Sequence, residues 1–422
     1  MRDVIAFVMA GGKGERLYPL TRDRSKPAVP FGGIYRIIDI TLSNCINSNI
    51  YKMIVLPQYK AQSLVEHMEA GWNIFSYALG HYLKIVPPQM RTGEEWYRGT
   101  ADSVRQNLYL MERNSPKHVL ILSGDHVYKM DYARFKSYHE EKDADITVSV
   151  IEVPVFQAYR FGILEVAQDF KVTGFQEKPA SPRPIPDDPD HALASMGIYM
   201  FKSRVLVDLL KSSDKDDFGK DIIPMALEKY SVYAFPYKKE NRIEDYVYTV
   251  KEDGSRVRVL EPCMQDSSYW RDVGDLDAYW NANMDLTGVN PMFNLYGTKW
   301  PLRTFQMQYP PVKTVFRDST SNRIGLALNS IVSHGTIISG GVVKNSVLSY
   351  KVMVRSWADV RESVIMSEVE IGRHCRIMKA IIDKRNIIPA NTEIGYDPQE
   401  DRKRFTVTPR GIVVVAKGTF PP

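Results

Sequence analysis

IAFVMAGGKGERLYPLTRDRSKP, residues 5–27, is the stretch that decides how the chain reads. The apolar run Val4 to Met9 fits a buried parallel strand. It breaks at Ala10-Gly11-Gly12-Lys13-Gly14, where three glycines open backbone conformations closed to other residues. Without Cβ atoms in the way, the amides of such a loop can close around phosphate oxygens at a strand end. Arg16 and Lys26 add positive charge, one as a fork and one as a mobile point. The stretch predicts a loop that holds a nucleoside triphosphate. Two commoner phosphate loops are excluded. The dinucleotide fingerprint lacks its third glycine, since Glu15-Arg16-Leu17 follows Gly14, and there is no GK[ST] ending. Three glycines alone would favour a plain turn between a strand and a helix, with the basic residues facing water.

A chain of 422 residues is long for one core and suggests two domains. Lys plus Arg exceed Asp plus Glu by 55 to 50, a mild surplus of +5 with no long run of like charge. That balance suits anionic metabolites better than a polynucleotide. Cys45, Cys263 and Cys375 lie far apart in no metal-ligand spacing, which points to a reducing compartment, the cytoplasm. Arg2 before the first apolar run imitates a secretion signal, but cleavage there would cut into the glycine loop. No segment is long and apolar enough to span a bilayer.

Outward from the loop, strand and helix patterns alternate, the mark of a layered α/β domain with a mainly parallel sheet. Val29 to Gly33 reads as a turn. Ile37 to Ile50 reads as a helix with Ile38, Leu42 and Cys45 on one face. Met53–Leu56 is a strand and Ala61–Ala70 a helix. Thr100 is placed to cap a helix carrying Val104, Leu108 and Met111. Val119–Ser123 is a strand ending in Gly124-Asp125-His126, and Asp125 therefore falls where α/β folds place their ligands. A carboxylate there could cap the next turn, or offer hard oxygens to Mg²⁺ beside a triphosphate. Phe161–Val166 and Val172–Pro179 pair around Gln168-Asp169. A helix is expected over Ile222–Tyr230, and a hairpin over Glu244–Glu261 turning at Asp253-Gly254. Asp272 could cap a helix from Leu276. Near the C-terminus Val342, Leu348, Val354 and Val360 recur every six residues, as do Ile371 and Ile377, and Ile388 and Ile394. That period fits the stacked coils of a parallel β-helix.

GGxGxRLxPLT with SKP, then WYRGTAD (96–102), GDH (124–126), EKP (177–179), SMG (195–197), DFGKD (217–221) and WRDVG (270–274), closed by the β-helix, resembles the sugar-1-phosphate nucleotidyltransferases. The set in this order is most similar to the bacterial glucose-1-phosphate adenylyltransferases. The resemblance implies a Rossmann-like catalytic domain over residues 1–290 and a linker over 291–325. A left-handed parallel β-helix for oligomerisation and regulation then covers 326–422. It implies ATP and glucose 1-phosphate as substrates, Mg²⁺ as cofactor, ADP-glucose for glycogen as product, and a homotetramer with no nucleic-acid or membrane partner. Residue by residue, it assigns catalysis to Arg16, Lys26 and Asp125, and the metal to Asp125 and Asp272. Substrate contacts fall to Gly11, Gly12, Gly14, Tyr97, Gly162, Glu177, Lys178 and Ser195. His126 is expected to be a neighbour, not a base.

The resemblance further implies control by phosphorylated metabolites or AMP, bound by Arg24, Arg36 and Arg113 of the first domain with Lys384 and Lys417 of the second. Five scattered cations on a basic protein would otherwise be solvated surface. Asp23 stands where activated relatives commonly carry Lys or Arg. The expectation is weak activation by fructose 1,6-bisphosphate, with a monophosphate or AMP preferred.

Overall fold

The structure is a computed structural model that describes residues 1–421 except 13, 90–95, 113, 187, 319 and 322. Its first half is built on a sheet of nine strands among the described residues. Val4–Ala10 lies inside it, parallel to both Lys52–Pro57 and His118–Ser123, and Tyr82–Ile85 extends the parallel set. A strand buried on both faces needs an apolar run, not an alternation, which is why Val4–Val8 are all 0–1% exposed. Beyond His118–Ser123 the sheet turns antiparallel around the long strand His191–Lys202. Its pairing with Ile146–Pro154 shifts between Ser195 and Tyr199, and such bulges re-aim side chains at a sheet rim.

The helix Ile37–Asn47 packs Ile38, Leu42 and Cys45 under this sheet, as expected. Its opposite face is also buried. Ile37 and Ile40 join Leu17, Leu20 and Phe31 in a cluster that includes Val364, Met366, Ile381 and Val414 of the C-terminal domain. The two domains therefore share an apolar seam directly behind the glycine loop.

Several local expectations need correction. Thr100 does not cap its helix; Gly99 precedes Thr100–Arg105 with no side-chain cap. The Thr100 hydroxyl instead bonds Asp217 and accepts from the Phe218 amide at 3.1 Å, while Ala101 N–H donates to the Asp216 carbonyl at 2.7 Å. WYRGTAD and DFGKD are thereby locked together, and Gly99 is required because a Cβ would lie 2.3 Å from the Asp216 carbonyl oxygen. The helix expected over 222–230 is shorter, a wide turn over Phe218–Ile222 followed by Ile223–Ala226. Asp275, not Asp272, caps Leu276–Met284 by accepting from Ala278 N–H. The hairpin at Asp253-Gly254 forms as read, pairing Glu244–Val250 with Arg256–Pro262.

Residues around 293–304 run along the helix Ile37–Asn47, with the Trp300 indole donating to Asn44 at 2.9 Å and Thr304 to Asp39 at 2.6 Å. Parallel coil pairing begins at Lys313–Val315. From there the chain winds a left-handed parallel β-helix with three faces. The buried inward residues are Ile338, Val343, Leu348, Val354, Val360, Ile365, Ile371, Ile377, Ile382, Ile388 and Ile394. The spacing is thus five or six, not a strict six. Val360 pairs with Val343 seventeen residues before it and Ile377 seventeen after it, while Val354 pairs with Ile338 sixteen before it, so the coils run one or two residues short of three hexads. That deficit is why Val343 faces inward and the expected Val342 does not.

Candidate active site

The loop after Val4–Ala10 starts the site. Gly14 has φ of 64°, in the left-handed region that favours glycine, and its carbonyl accepts from Thr21 at 2.9 Å. A Cβ on Gly11 would lie 2.8 Å from that of Gln58, whereas around Gly12 there is open space. Gly12 is the exposed member of the cradle.

Lys26 leaves this segment almost fully buried and reaches 3.0 Å from Asp125 and 3.0 Å from Asp272. The two carboxylates come together because Asp125 immediately precedes the strand His126–Tyr128, which pairs antiparallel with Trp270–Asp272. Burial alone would push both carboxyls up; the Lys26 ammonium beside them, with His126 and the Ser123 hydroxyl at Asp125, holds them below the usual carboxylate range. Lys26 answers in kind. Burial would favour its neutral form, but the two carboxylates raise its pKa and keep it charged. His126 lies 3.6 Å from Asp125 and stacks edge-on with Trp270, a neighbour in geometry as in sequence. Arg16 is exposed beside the pair. A Cβ on Gly274 would fall 2.9 Å from its guanidinium and 2.8 Å from an Asp272 oxygen, so that glycine leaves the room both side chains occupy.

From Asp272 a cleft of about 420 Å³ runs to Gly162, Glu177, Lys178 and Ser195. Lys178 bonds Glu177 at 3.1 Å and is otherwise exposed. Gly162 has no room for a side chain, since a Cβ would meet the Phe175 ring at 2.4 Å. Ser195 sits at the bulge, 3.4 Å from the Tyr199 hydroxyl. Gly162, Glu177, Lys178, Ser195 and Asp272 thus line one cleft, Lys26 and Asp125 adjoin it at Asp272, and Arg16 lines the neighbouring cavity that shares Lys178 and Asp272.

Tyr97 is placed elsewhere. It is 4% exposed in the apolar core, its hydroxyl donating to the Val86 carbonyl at 3.2 Å and accepting from Asn107 at 2.9 Å. Its backbone carbonyl accepts from Gln58, the residue packed on Gly11. Its neighbour Trp96 is the exposed aromatic of the pair. Sequence reasoning also passed over Asp217 and Arg160. Asp217 lines the cleft with Gly162, Glu177 and Ser195. Arg160 lines the same cleft and pairs with Asp275 at 2.7 Å. DFGKD was a visible signal for the first; nothing in the local sequence singles out the second. Elsewhere Asp3, His118 and Glu140 cluster, but Lys136 already pairs with both acids at 3.0–3.2 Å.

Behind the glycine loop, Arg24 forms a buried pair with Asp383 at 2.6 Å. Arg36 bonds the Ser63 hydroxyl at 2.9 Å, and burial pushes its pKa down to about 10. Burial, then Arg36 and Arg24, pushes Lys384 down to about 7. Lys417 lies 4.0 Å from Asp23, which also faces Arg22 at 3.4 Å. Arg24, Arg36, Lys384 and Lys417 thus form one cationic group across the domain seam; Arg113 lies outside the described residues.

A family model described as "Nucleotidyl transferase" matches residues 5–288, and one described as "GlmU-like, C-terminal hexapeptide" matches 310–415. The glucose-1-phosphate adenylyltransferase of Rhodopirellula baltica is 49% identical, covering 99% of this chain and 91% of the relative. That of Methylococcus capsulatus is 47% identical, over 98% and 93%. Glucose-1-phosphate adenylyltransferase 2 of Vibrio cholerae is 44% identical, over 98% of each. With matches running from the glycine loop through the last coils, the chain belongs to the nucleotidyl transferase family and, within it, to the glucose-1-phosphate adenylyltransferases.

Proposed function

We propose that this chain transfers the adenylyl group of ATP to α-D-glucose 1-phosphate, giving ADP-glucose and pyrophosphate for glycogen biosynthesis. The observation that carries the reading is Lys26 bridging Asp125 and Asp272 at 3.0 Å each, between the glycine loop and the Glu177–Lys178 pair. Beyond the likeness to its relatives, the cleft itself suits the reaction. No nucleophilic side chain is needed, because an oxygen of the sugar phosphate attacks the α-phosphorus as the bond to the leaving pyrophosphate breaks. What the protein must do is align two mutually repelling anions, and alignment alone can remove roughly 7–11 kcal/mol of barrier.

Each role follows from place and charge. The amides of Gly11, Gly12 and Gly14 cradle the triphosphate, with Arg16 and Lys26 drawing on its charge. Glu177 accepts from sugar hydroxyls, Ser195 adds a contact, and Lys178 holds the sugar phosphate. Asp125 and Asp272 are ionised, partly open and rich in hard oxygens, which fits a divalent cation and Mg²⁺ in particular. Such an ion supplies neutralisation of the charge that builds on the phosphates.

The cationic seam of Arg24, Arg36, Lys384 and Lys417 is read as the effector site for a phosphorylated metabolite or AMP. The β-helix is read as the module of a homotetramer, since an open coil stack leaves apolar ends to be covered. Residues 1–290, 291–325 and 326–422 are the proposed division, with the first coil strand, Lys313–Val315, already inside the stretch read as linker, and the cytoplasm is the proposed setting. No described helix is long and apolar enough to cross a membrane. One assay tests the activity: pyrophosphate release with each nucleoside triphosphate and each sugar phosphate. ATP with glucose 1-phosphate is expected to lead. Release with UTP alone overturns the adenylyl assignment, and release with no pair overturns the enzyme. Light scattering that finds a fully active monomer overturns the tetramer.

A further inference from the structure

Asp125 and Asp272 depend on a ribbon of only three rungs, His126–Asp272, Val127–Arg271 and Tyr128–Trp270. So short a ladder holds its register weakly, and a slip of one residue would turn Asp272 to the opposite face. At the far end the next rung would join Lys129 to Tyr269, but there the described pairing stops. The Tyr237 hydroxyl stands in its place, sharing its one proton between the Lys129 carbonyl at 2.8 Å and the Tyr269 carbonyl at 2.9 Å. One helical turn later, Asn241 donates to the Lys129 carbonyl at 2.9 Å and to that of Ser267 at 2.8 Å, and accepts from the Asp131 amide. Tyr237 is wholly buried and Asn241 2% exposed, so neither bond competes with water. The Lys129 ammonium is pinned as well, to Asp266 at 2.7 Å.

We propose that Tyr237, seconded by Asn241, is a positioning residue that fixes the register and spacing of the two strands presenting Asp125 and Asp272, and so sets the affinity of that pair for a divalent cation. The tyrosine touches no reacting group. It acts through two backbone carbonyls at one end of the ribbon, and the carboxylates report at the other. The inference rests on the reading of Asp125 and Asp272 as cation ligands.

The test is Tyr237→Phe in the full-length chain, which deletes one oxygen and keeps the ring. Mn²⁺ binding is followed by the resonance signal of the free ion, without substrates, beside the thermal midpoint and the KM for glucose 1-phosphate. We expect about tenfold weaker Mn²⁺ binding, the size seen when partners behind metal ligands are removed. The KM for glucose 1-phosphate should stay within about twofold, because Glu177 ends a strand of the other sheet and Lys178 follows it. A folded Tyr237→Phe with unchanged Mn²⁺ affinity overturns the clamp. So does a loss of turnover that follows the thermal midpoint alone. If the phenylalanine variant does not fold, Asn241→Ala takes the same measurement, with weaker Mn²⁺ binding expected and unchanged binding overturning the proposal. Wild-type protein that binds no Mn²⁺ overturns the reading of the carboxylates instead, which keeps the two failures apart.

Discussion

In the β-helix each inward side chain is held by near-copies of itself. Val360 lies between Val343 of the coil before and Ile377 of the coil after. In the cleft nothing is repeated. Lys26 meets Asp272 across 246 residues of chain, and the ribbon that presents Asp272 has three rungs. A repeated contact spreads damage among neighbours and leaves chemistry elsewhere untouched, while a unique one concentrates it. Substitutions in the two regions should therefore fail in different ways, in stability for the first and in turnover for the second.

The largest effect expected on either side is on stability. Ile377→Ala empties a fully buried site between Val360 and Ile394, and should cost about 2–5 kcal/mol in chemical unfolding. Both substrate KM values should stay within about twofold, since the site lies in the other domain. A KM shift as large as the stability loss would show that the coils and the cleft are one cooperative unit.

Asp125→Asn is the mirror case. It removes a charge that Lys26 holds ionised against burial, yet leaves the ammonium its bond to Asp272. Turnover should fall about 10²–10³-fold, or ~3–4 kcal/mol in the barrier, while the unfolding midpoint moves little. Near-normal turnover at saturating Mg²⁺ would remove this carboxylate from the cation's ligands.

Lys178→Ala acts at the sugar end. A charge-assisted contact to phosphate contributes roughly 1.5–3 kcal/mol, so the glucose 1-phosphate requirement should rise about ten- to a hundredfold. The ATP requirement should barely move, because the cleft that Lys178 lines includes none of Gly11, Gly12 and Gly14. An equal rise in both would mean that its charge acts on the whole site, not on one phosphate.

The same contrast explains what the sequence disclosed. Apolar runs marked the inner strands because a strand covered on both faces tolerates nothing else. The hexad marked the coils because stacking imposes it, and only the shortened closing of each coil escaped, since no single run of residues displays it. Asp125 was legible as a carboxylate at a strand end, and Asp272 only through its motif. Their meeting depends on a pairing between segments remote in the chain, which only the family motifs carried. Tyr97 was assigned from its motif, and its hydroxyl is satisfied inside the core because the fold turns it toward Val86 and Asn107. Arg160 and Tyr237 carried no local mark at all. Their partners are chosen by the fold.

Across the seam between the two regions the effects are smaller and depend on pH. Lys384, buried and crowded by Arg36 and Arg24, has its pKa pushed down to about 7. A group depressed in the folded protein is neutral above that value, so its attraction for a bound anion is present below pH 7 and fades as pH rises through it. The affinity for AMP should fall between pH 6.5 and 8.5, by at most about tenfold per unit. Calorimetric titration of wild type and Lys384→Gln checks it. The wild-type slope should flatten in the variant, and an unchanged slope would assign the titration to another group.

The smallest expected effect belongs to Asp23. It lies 4.0 Å from Lys417 and 3.4 Å from Arg22, so its carboxylate occupies cations that an anionic effector would otherwise meet. Bare Coulomb repulsion at such a distance is on the order of 1–4 kcal/mol. The side chain is 45% exposed, however, and water screens pairs of this kind to about 1 kcal/mol or less. Asp23→Lys should therefore tighten fructose 1,6-bisphosphate only about fivefold or less, and AMP less still, because a second phosphate has the longer reach toward Lys417. Activation curves for both effectors on both proteins measure the difference directly. If the bisphosphate already activates wild type strongly and the substitution changes nothing, Asp23 faces Arg22 alone and the seam reads its anion entirely through Arg24, Arg36 and Lys384.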